Sequence, residues 1–350
     1  MTTEEDERVR GRVDDRGRRA RRTAATIEDV AAAAGVSRQT VTRAMNDMEG
    51  ISAATKARVL AAAKELNYRP SRFGRGLARA TRDTLGLVVS DLANPYYPEF
   101  AAATVRYAGQ LGWNVVLVDT VHATDHRRLL VDFASQVDAV LGYLGPSELW
   151  VDALAGMTVV TVGPAPDELA AGAAGVHVVR LDPRAALREA AAHLARVGTR
   201  TAVVLDGDHP GRTNERGRLI ASSLQDAGIA VEVLAAGGQD VGAARAVTLH
   251  LLERGLPDAV FAWNDILAVG ALATLVERGV SMPGDVRLVG IDGLSLGTFV
   301  TPQLTTLAVD MHEVARQAVD LAVGALKDAG GAAQSQTRRV EHVFTPRGTA

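Results

Sequence analysis

The chain has 350 residues, 47% of them hydrophobic, 4% aromatic and 23% charged, with no cysteine and a formal net charge of −3. That length suits two or three domains, and the lack of cysteine removes disulfides, thiolate metal sites and a cysteine nucleophile. No apolar run reaches 18 residues, and the opening stretch (Glu4, Glu5, Asp6, Glu7, Arg8, Arg10) has no apolar core, so neither a membrane span nor a secretory signal is predicted and a cytoplasmic protein is expected.

The charge is unevenly spread. Residues 1–80 carry 17 Lys and Arg against 11 Asp and Glu, and the remaining 270 carry 21 against 30. A basic end on an acidic body is expected when one end meets phosphates, although two halves of a chain also differ by chance. Residues 1–25, with Arg16, Arg18, Arg19, Arg21 and Arg22 clustered and hardly any apolar residue, are predicted to form a disordered tail. The tail either adds sequence-independent attraction to phosphates or is a solvated leader.

Residues 26–46 read TIEDVAAAAGVSRQTVTRAMN. Thr26 can cap a helix over Ile27–Ala33, with Asp29 three residues on as a partial capping box. Gly35 provides the backbone freedom for a tight turn. Ser37 caps a second helix over Arg38–Met45. Ile27, Val30, Ala31, Val36, Val41 and Met45 form one apolar seam for two crossed helices, which leaves Arg38, Gln39, Thr40, Thr42 and Arg43 on the outer face. This is a helix-turn-helix with a polar recognition helix, a shape that fits the DNA major groove.

Ser52 caps a third helix predicted over Ala53–Leu66, with Val59, Leu60, Ala63 and Leu66 closing a small core. Pro70 ends it. The following SRFGRGLARATR is basic, and Gly74 and Gly76 make a helix over Ser71–Ala78 poor in isolation. It is either a plain linker or a hinge that becomes helical on DNA and wedges Leu77 into the minor groove.

From Leu85 the pattern changes. Nine β-rich runs are predicted: Leu85–Ser90, Trp113–Val118, Ala139–Tyr143, Thr158–Val162, Val176–Arg180, Thr201–Leu205, Ala230–Leu234, Ala259–Ala262 and Arg287–Gly290. Seven helices alternate with them: Pro98–Leu111, Arg127–Gln136, Pro183–Val197, Glu215–Ala227, Val241–Arg254, Ile266–Arg278 and Met311–Lys327. Strands with little polar alternation, separated by helices, predict parallel sheets covered on both faces. Two such series suggest two α/β lobes with a ligand cleft at the carboxyl ends of their strands.

The order of these parts resembles the LacI/GalR family of bacterial transcriptional regulators over about residues 26–348. The resemblance rests on the helix-turn-helix stretch and ARVLAAAKELNYRPS. It rests also on LGLVVSDLANPYYPEF, AVFAWNDILAVGAL, MPGDVRLVGIDG and TPQLTTLAVD, in that order and spacing. It implies an all-α helix-turn-helix DNA-binding head (26–70), a hinge (71–81) and a two-lobed α/β core like a periplasmic binding protein (82–350). The first lobe would be 82–163 with 310–338 and the second 164–309 with 339–350, joined by three crossovers. It further implies a homodimer, a pseudo-palindromic double-stranded operator and a small-molecule effector, a sugar or sugar derivative. No cofactor and no metal are implied.

Arginine can read guanine O6 and N7, and glutamine can read adenine N6 and N7. By the resemblance, Arg38 and Gln39 would choose the operator, with Arg43 as a second guanine reader. Ser37, Thr40 and Asn46 would contact phosphates, Thr26 belongs to the DNA-binding set, and Leu77 matches the family's minor-groove leucine. For the effector the resemblance points to Tyr97, with Tyr96 beside it, as a stacking wall, to Asp292 as an acid accepting from hydroxyls, and to Arg216, with Arg218 as a rival two residues on. Asn264 would bind ligand or only cap its helix, whereas Asp265 is read as structural.

The chain departs from the family at Gly163, where many members carry an acid, and at Trp263, where a small residue is usual. It departs also at Gly293, which replaces a common second acid. These changes point away from a standard hexose and leave an aglycone, a nucleoside or a degenerate pocket, so the alternative is an effector-independent or nucleoside-responsive regulator of the same fold.

An enzyme is not expected. Gly74 and Gly76 follow no strand and are followed by Arg79 in place of a third glycine, and there is no P-loop and no GxSxG elbow. His122 and His126 stand four apart in a loop-like context and read as solvated.

Overall fold

The computed structural model describes residues 27–45, 48–66, 84–163, 173–208, 214–327 and 335–350. The chain divides into two compact units, 1–82 and 83–350, each taken here by itself. The predicted tail (1–25), Thr26, Asn46, the predicted hinge with Gly74, Gly76 and Leu77, and residues 164–172 lie outside the described residues.

Among its described residues the head holds three helices, α1 (Ile27–Ala34), α2 (Arg38–Met45) and α3 (Ala53–Glu65). Gly35 turns the chain between the first two with φ +61, where a side chain would be strained. Ser37 Oγ accepts from Thr40 N at 3.2 Å, and Ser52 Oγ does the same for Thr55 N. Val30, Val41 and Val59 are fully buried at the centre, walled by Ala34, Ala44, Ala62 and Ala63. The third helix differs from expectation in its inner face. Leu60 and Leu66 are 43% and 38% exposed, and Ala62 is inside instead. A helix turned on Val59 and Ala63 presents position 62 to the core, while Leu60 is rotated about 100° from Val59.

The larger unit has two six-stranded sheets. The first runs β2–β1–β3–β4–β5–β11 and the second β7–β6–β8–β9–β10–β12. In chain order the first-sheet strands are β1 (Thr84–Val89), β2 (Asn114–Asp119), β3 (Ala139–Gly142), β4 (Thr158–Gly163), β5 (Val176–Asp182) and β11 (Thr337–Glu341). The second sheet holds β6 (Thr201–Asp206), β7 (Ala230–Ala235), β8 (Ala259–Ala262), β9 (Arg287–Asp292), β10 (Thr305–Ala308) and β12 (Val343–Thr345). Every pairing is parallel except β10 with β12.

All six residues of β1 are buried, as a strand covered on both faces requires. Leu85, Leu87 and Val89 face one cluster with α4 (Tyr96–Gln110) and α10 (Met311–Lys327). Val88 faces the opposite cluster with Leu130 and Phe133 of α5 (His126–Ala134) and Trp150. The second sheet repeats the plan. Val204 meets α6 (Arg184–Arg196) and α7 (Glu215–Asp226), while Val203 and Leu205 meet α8 (Val241–Arg254) and α9 (Asp265–Glu277). No described helix is long and apolar enough to cross a membrane.

The strand pairing moves the expected lobe boundary. Val176–Asp182 hydrogen-bonds to β4 and β11, so the first lobe continues past residue 163 and the chain first crosses at Asp182–Pro183. The last crossing falls at His342, between β11 and β12, rather than after residue 338. The apolar run of β5 predicts a strand, but only long-range pairing decides which sheet it extends. Strands β10 to β12 are short and carry Thr, Arg and Glu among their few apolar residues, so they give no continuous apolar signal. Helix α4 starts at Tyr96, two residues before the predicted Pro98, because Asn94 Oδ1 accepts from Tyr96 N at 3.1 Å and sets the first turn.

Between the lobes, Ile266 and Leu294 of the second pack into the cluster that holds Tyr96, Val309 and Met311. Glu99 Oε1 accepts from Ser295 N at 3.0 Å and Ser295 Oγ at 2.6 Å.

Candidate functional site

A cavity of about 360 Å³ lies between the lobes. It is built from the carboxyl ends of both sheets. Tyr143 follows β3, Gly163 ends β4, Trp263 follows β8 and Asp292 ends β9. Backbone groups at such strand ends open toward the crevice, where open α/β sheets take ligands.

The first-lobe wall is aromatic. The rings of Tyr96, Tyr97 and Tyr143 stand edge to face with centroids 5.3–5.5 Å apart. The Tyr96 and Tyr143 hydroxyls are 2.5 Å apart, and burial pushes both phenols above their usual range, so both stay protonated. Tyr96 is only 7% exposed and has its hydroxyl engaged. Tyr97 is half-buried and lines the cavity.

The second-lobe wall is a polar chain. Asp206 Oδ1 accepts from Asn214 Nδ2 at 2.9 Å. Asn214 Oδ1 accepts from Gly217 N, which caps α7, and from Trp263 Nε1, each at 2.9 Å. The Arg216 guanidinium lies 4.4 Å from the Trp263 ring centroid, donates to Trp263 O at 3.1 Å and reaches Asp292 Oδ1 at 3.4 Å. Burial raises Asp292 to about 7 against the pull of Arg216. Asp292 also has φ 117, the only positive φ of a non-glycine among the described residues. Such a conformation costs roughly 1–3 kcal/mol and tends to persist at functional positions.

Behind this wall, Asp265 is fully buried, accepting from Leu294 N at 2.7 Å and Thr306 Oγ1 at 2.6 Å. Burial and the nearby Asp292 raise it to about 8. It does not line the cavity, and its hydrogen bonds tie the start of α9 to the Leu294 turn and to β10. Asn264 Oδ1 caps α9 by accepting from Leu267 N at 2.8 Å, and the residue also lines the cavity. The two readings of Asn264 are therefore compatible.

On the head, Arg38, Gln39 and Arg43 are exposed on α2, Thr40 is half-buried and Ser37 is exposed while capping the helix. Arg38 Nη1 lies 3.6 Å from Glu28 Oε1, with both side chains largely exposed. Such a pair is weak and yields readily to phosphate or base.

Comparison with known proteins decides what these two units belong to. Residues 26–71 match the bacterial regulatory proteins of the lacI family, and residues 191–350 match a periplasmic binding protein-like domain. The chain is 30% identical over 340 residues to the HTH-type transcriptional regulator GalR of Salmonella typhimurium, covering 92% of this chain and 94% of that protein. It belongs to the LacI/GalR family. It is 28% identical over 327 residues to the HTH-type transcriptional repressor PurR of Photobacterium profundum, covering 87% and 92%. A LacI family transcriptional regulator from Arthrobacter sp. FB24, solved in complex with lactose, superposes with TM-score 0.69 at 32% identity, over 77% of this chain and 100% of that chain. The protein is thus a DNA-binding transcriptional regulator with a ligand-binding core.

Within this LacI-family core, Tyr96, Tyr97, Arg216, Asn264 and Asp292 all line one cavity. Arg218, the rival of Arg216, is exposed and away from it. Residues that sequence reasoning did not assign to the cavity include Tyr143, Arg180, Asn214 and His342. Tyr143 ends a predicted strand and Asn214 directly precedes a predicted helix, and each carried that positional signal. Arg180 ended its predicted strand in the same way, whereas His342 depends on strand pairing and carried no such signal.

Proposed function

We propose that the protein is a cytoplasmic, homodimeric repressor whose hold on a pseudo-palindromic operator is set by a sugar or sugar derivative in the interlobe cleft. The observation that carries this reading is the cavity itself. An aromatic wall on one lobe faces an arginine–carboxylate pair on the other, which is apolar surface for a ring face and fixed donors and acceptors for hydroxyls. The lactose complex of the Arthrobacter relative supports the same class of ligand. Arg38, Gln39 and Arg43 are the proposed base readers, with Ser37 and Thr40 on phosphates. A dimer presents two such helices, so half-sites follow two-fold symmetry.

A ligand that touches both walls favours one lobe closure over the other and shifts the population accordingly, which is all that linkage requires. A second reading, a nucleoside effector, is favoured by Trp263, whose indole adds flat surface beside Arg216. The test is fluorescence anisotropy on DNA flanking the protein's own gene, titrated with neutral sugars, sugar acids, sugar phosphates and nucleosides. A sugar-dependent change in operator affinity supports the reading. A response to nucleosides alone replaces it with the second, and no response to any of them means that the regulator works without an effector.

A further inference from the structure

The first-lobe wall of the cleft carries a cation that has no counter-charge among the described residues. Arg180 lies on β5 in parallel register between Gly163 of β4 and Arg339 of β11. It is half-buried and lines the cavity. No carboxylate among the described residues pairs with it. Asp182, two residues on and 2% exposed, is already engaged by Arg184 and Arg339. Asp292 is engaged by Arg216. The in-register neighbour Gly163 has no side chain, and its φ of +144 is one that L residues rarely adopt. An unpaired arginine on open surface would need no account. On a partly desolvated wall it favours an anion.

A second group faces the same space. His342, at the last crossing between lobes, is 5% exposed and lines the cavity, and its Nδ1 has no hydrogen-bond partner. Its backbone N–H donates to Asp182 O at 3.0 Å, which ties it to the end of the strand that carries Arg180. Burial, with the charge of Arg216, holds the imidazole down at about 4. The ring is therefore neutral near pH 7, and a buried neutral ring nitrogen calls for a partner.

We propose that the effector is an acidic sugar, one bearing a carboxylate or a phosphate, with its anion bound by Arg180 and a hydroxyl beside His342. The inference rests on the sugar-responsive reading above and narrows it. Where a neutral sugar would need an acceptor at the first-lobe wall, an acidic one brings its own negative charge to the arginine.

The test uses the full chain at constant ionic strength. Melting midpoints are recorded with D-glucuronate, D-glucose 6-phosphate, D-glucose and lactose, and calorimetric titration then follows with any sugar that raises the midpoint. An acidic sugar should raise it more than its neutral counterpart, and whether glucuronate or the phosphate does so identifies the anion. Arg180→Gln should weaken the acidic sugar by about tenfold or more, Arg180→Lys by less, and His342→Phe several-fold. Arg188→Gln, on the exposed side of α6, is the control. Each variant's midpoint without ligand reports whether it folds. Neutral sugars binding as tightly as acidic ones, or an unchanged acidic-sugar affinity in a folded Arg180→Gln, would overturn the inference and leave the sugar regulator standing. Silence from all four sugars with operator binding intact would overturn both.

Discussion

The Arg216 guanidinium lies 3.4 Å from the Asp292 carboxylate, at a place where burial raises Asp292 to about 7. The pair is therefore only half compensated. An unfolded Asp ionises near pH 4, so between about pH 4 and 7 the folded chain keeps a proton that the unfolded chain has released. This makes stability fall as pH rises through that window, by at most about 1.4 kcal/mol per pH unit. Asp265, raised to about 8, acts in the same direction. His342, held down at about 4, acts in the opposite one, losing stability as pH falls below its ordinary value. Asp292→Asn removes one contribution. In urea titrations without ligand, the wild type should lose roughly 1–3 kcal/mol relative to this variant between about pH 5 and 7. Parallel pH profiles for the two proteins would refute the assignment.

Trp263 is the platform under Arg216 and the donor to Asn214. Trp263→Phe keeps a ring but removes the Nε1 donor, which leaves Asn214 Oδ1 with Gly217 N alone. The expected cost is about 1 kcal/mol of folding stability. Trp263→Leu also removes the cation–π contact, worth about 0.5–2 kcal/mol, and frees Arg216 to sample other rotamers. Sugar affinity should fall further in Trp263→Leu than in Trp263→Phe. Equal affinities in the two variants would mean that the ring does not position Arg216.

The sequence already carried the alternation of strands and helices and the polar face of α2. Strong local signals account for both: Ser37 and Ser52 as caps, Gly35 in its turn, and the apolar runs of β1 and β8. Asp292 and Arg216 were legible through the family resemblance, which singled out one residue near the end of a predicted strand and one at the start of a predicted helix. Arg180 and His342 were not. Nothing local places both on one cavity. That depends on β5 joining the first sheet and on β11 returning from the far end of the chain to pair with it. Leu60 was misplaced because the three-helix core is lined largely by alanines, and apolar size alone was a poor guide to which face turns inward.

The Tyr96 and Tyr143 hydroxyls, 2.5 Å apart, bind helix α4 to the end of β3. Both rings also pack edge to face, so replacing either with phenylalanine keeps the packing and strands one buried hydroxyl. Each single variant should lose about 1–3 kcal/mol. The double variant Tyr96→Phe with Tyr143→Phe should lose less than the sum, since neither hydroxyl is then left alone, with a coupling of roughly 0.5–3 kcal/mol. Thermal or urea unfolding of the four proteins measures this cycle, and strict additivity would show that the hydroxyls do not interact in solution.

Arg38 and Gln39 open helix α2 with exposed side chains, and the buried face of that helix uses Val41 and Ala44 instead. Substituting either should leave the head folded, since the Arg38–Glu28 contact is a solvent-exposed pair worth under about 1 kcal/mol. The loss should fall on base reading. Arg38→Ala or Gln39→Ala should cost about 1–3 kcal/mol at the bases they read and relax preference there, with little change on unrelated DNA. Thr40→Ala, at a proposed phosphate contact, should weaken all sequences alike. Selection from a randomised site library at two salt concentrations separates these outcomes. If Arg38→Ala lowers affinity evenly across the library, Arg38 is a phosphate contact and the choice of operator lies with other residues of the helix.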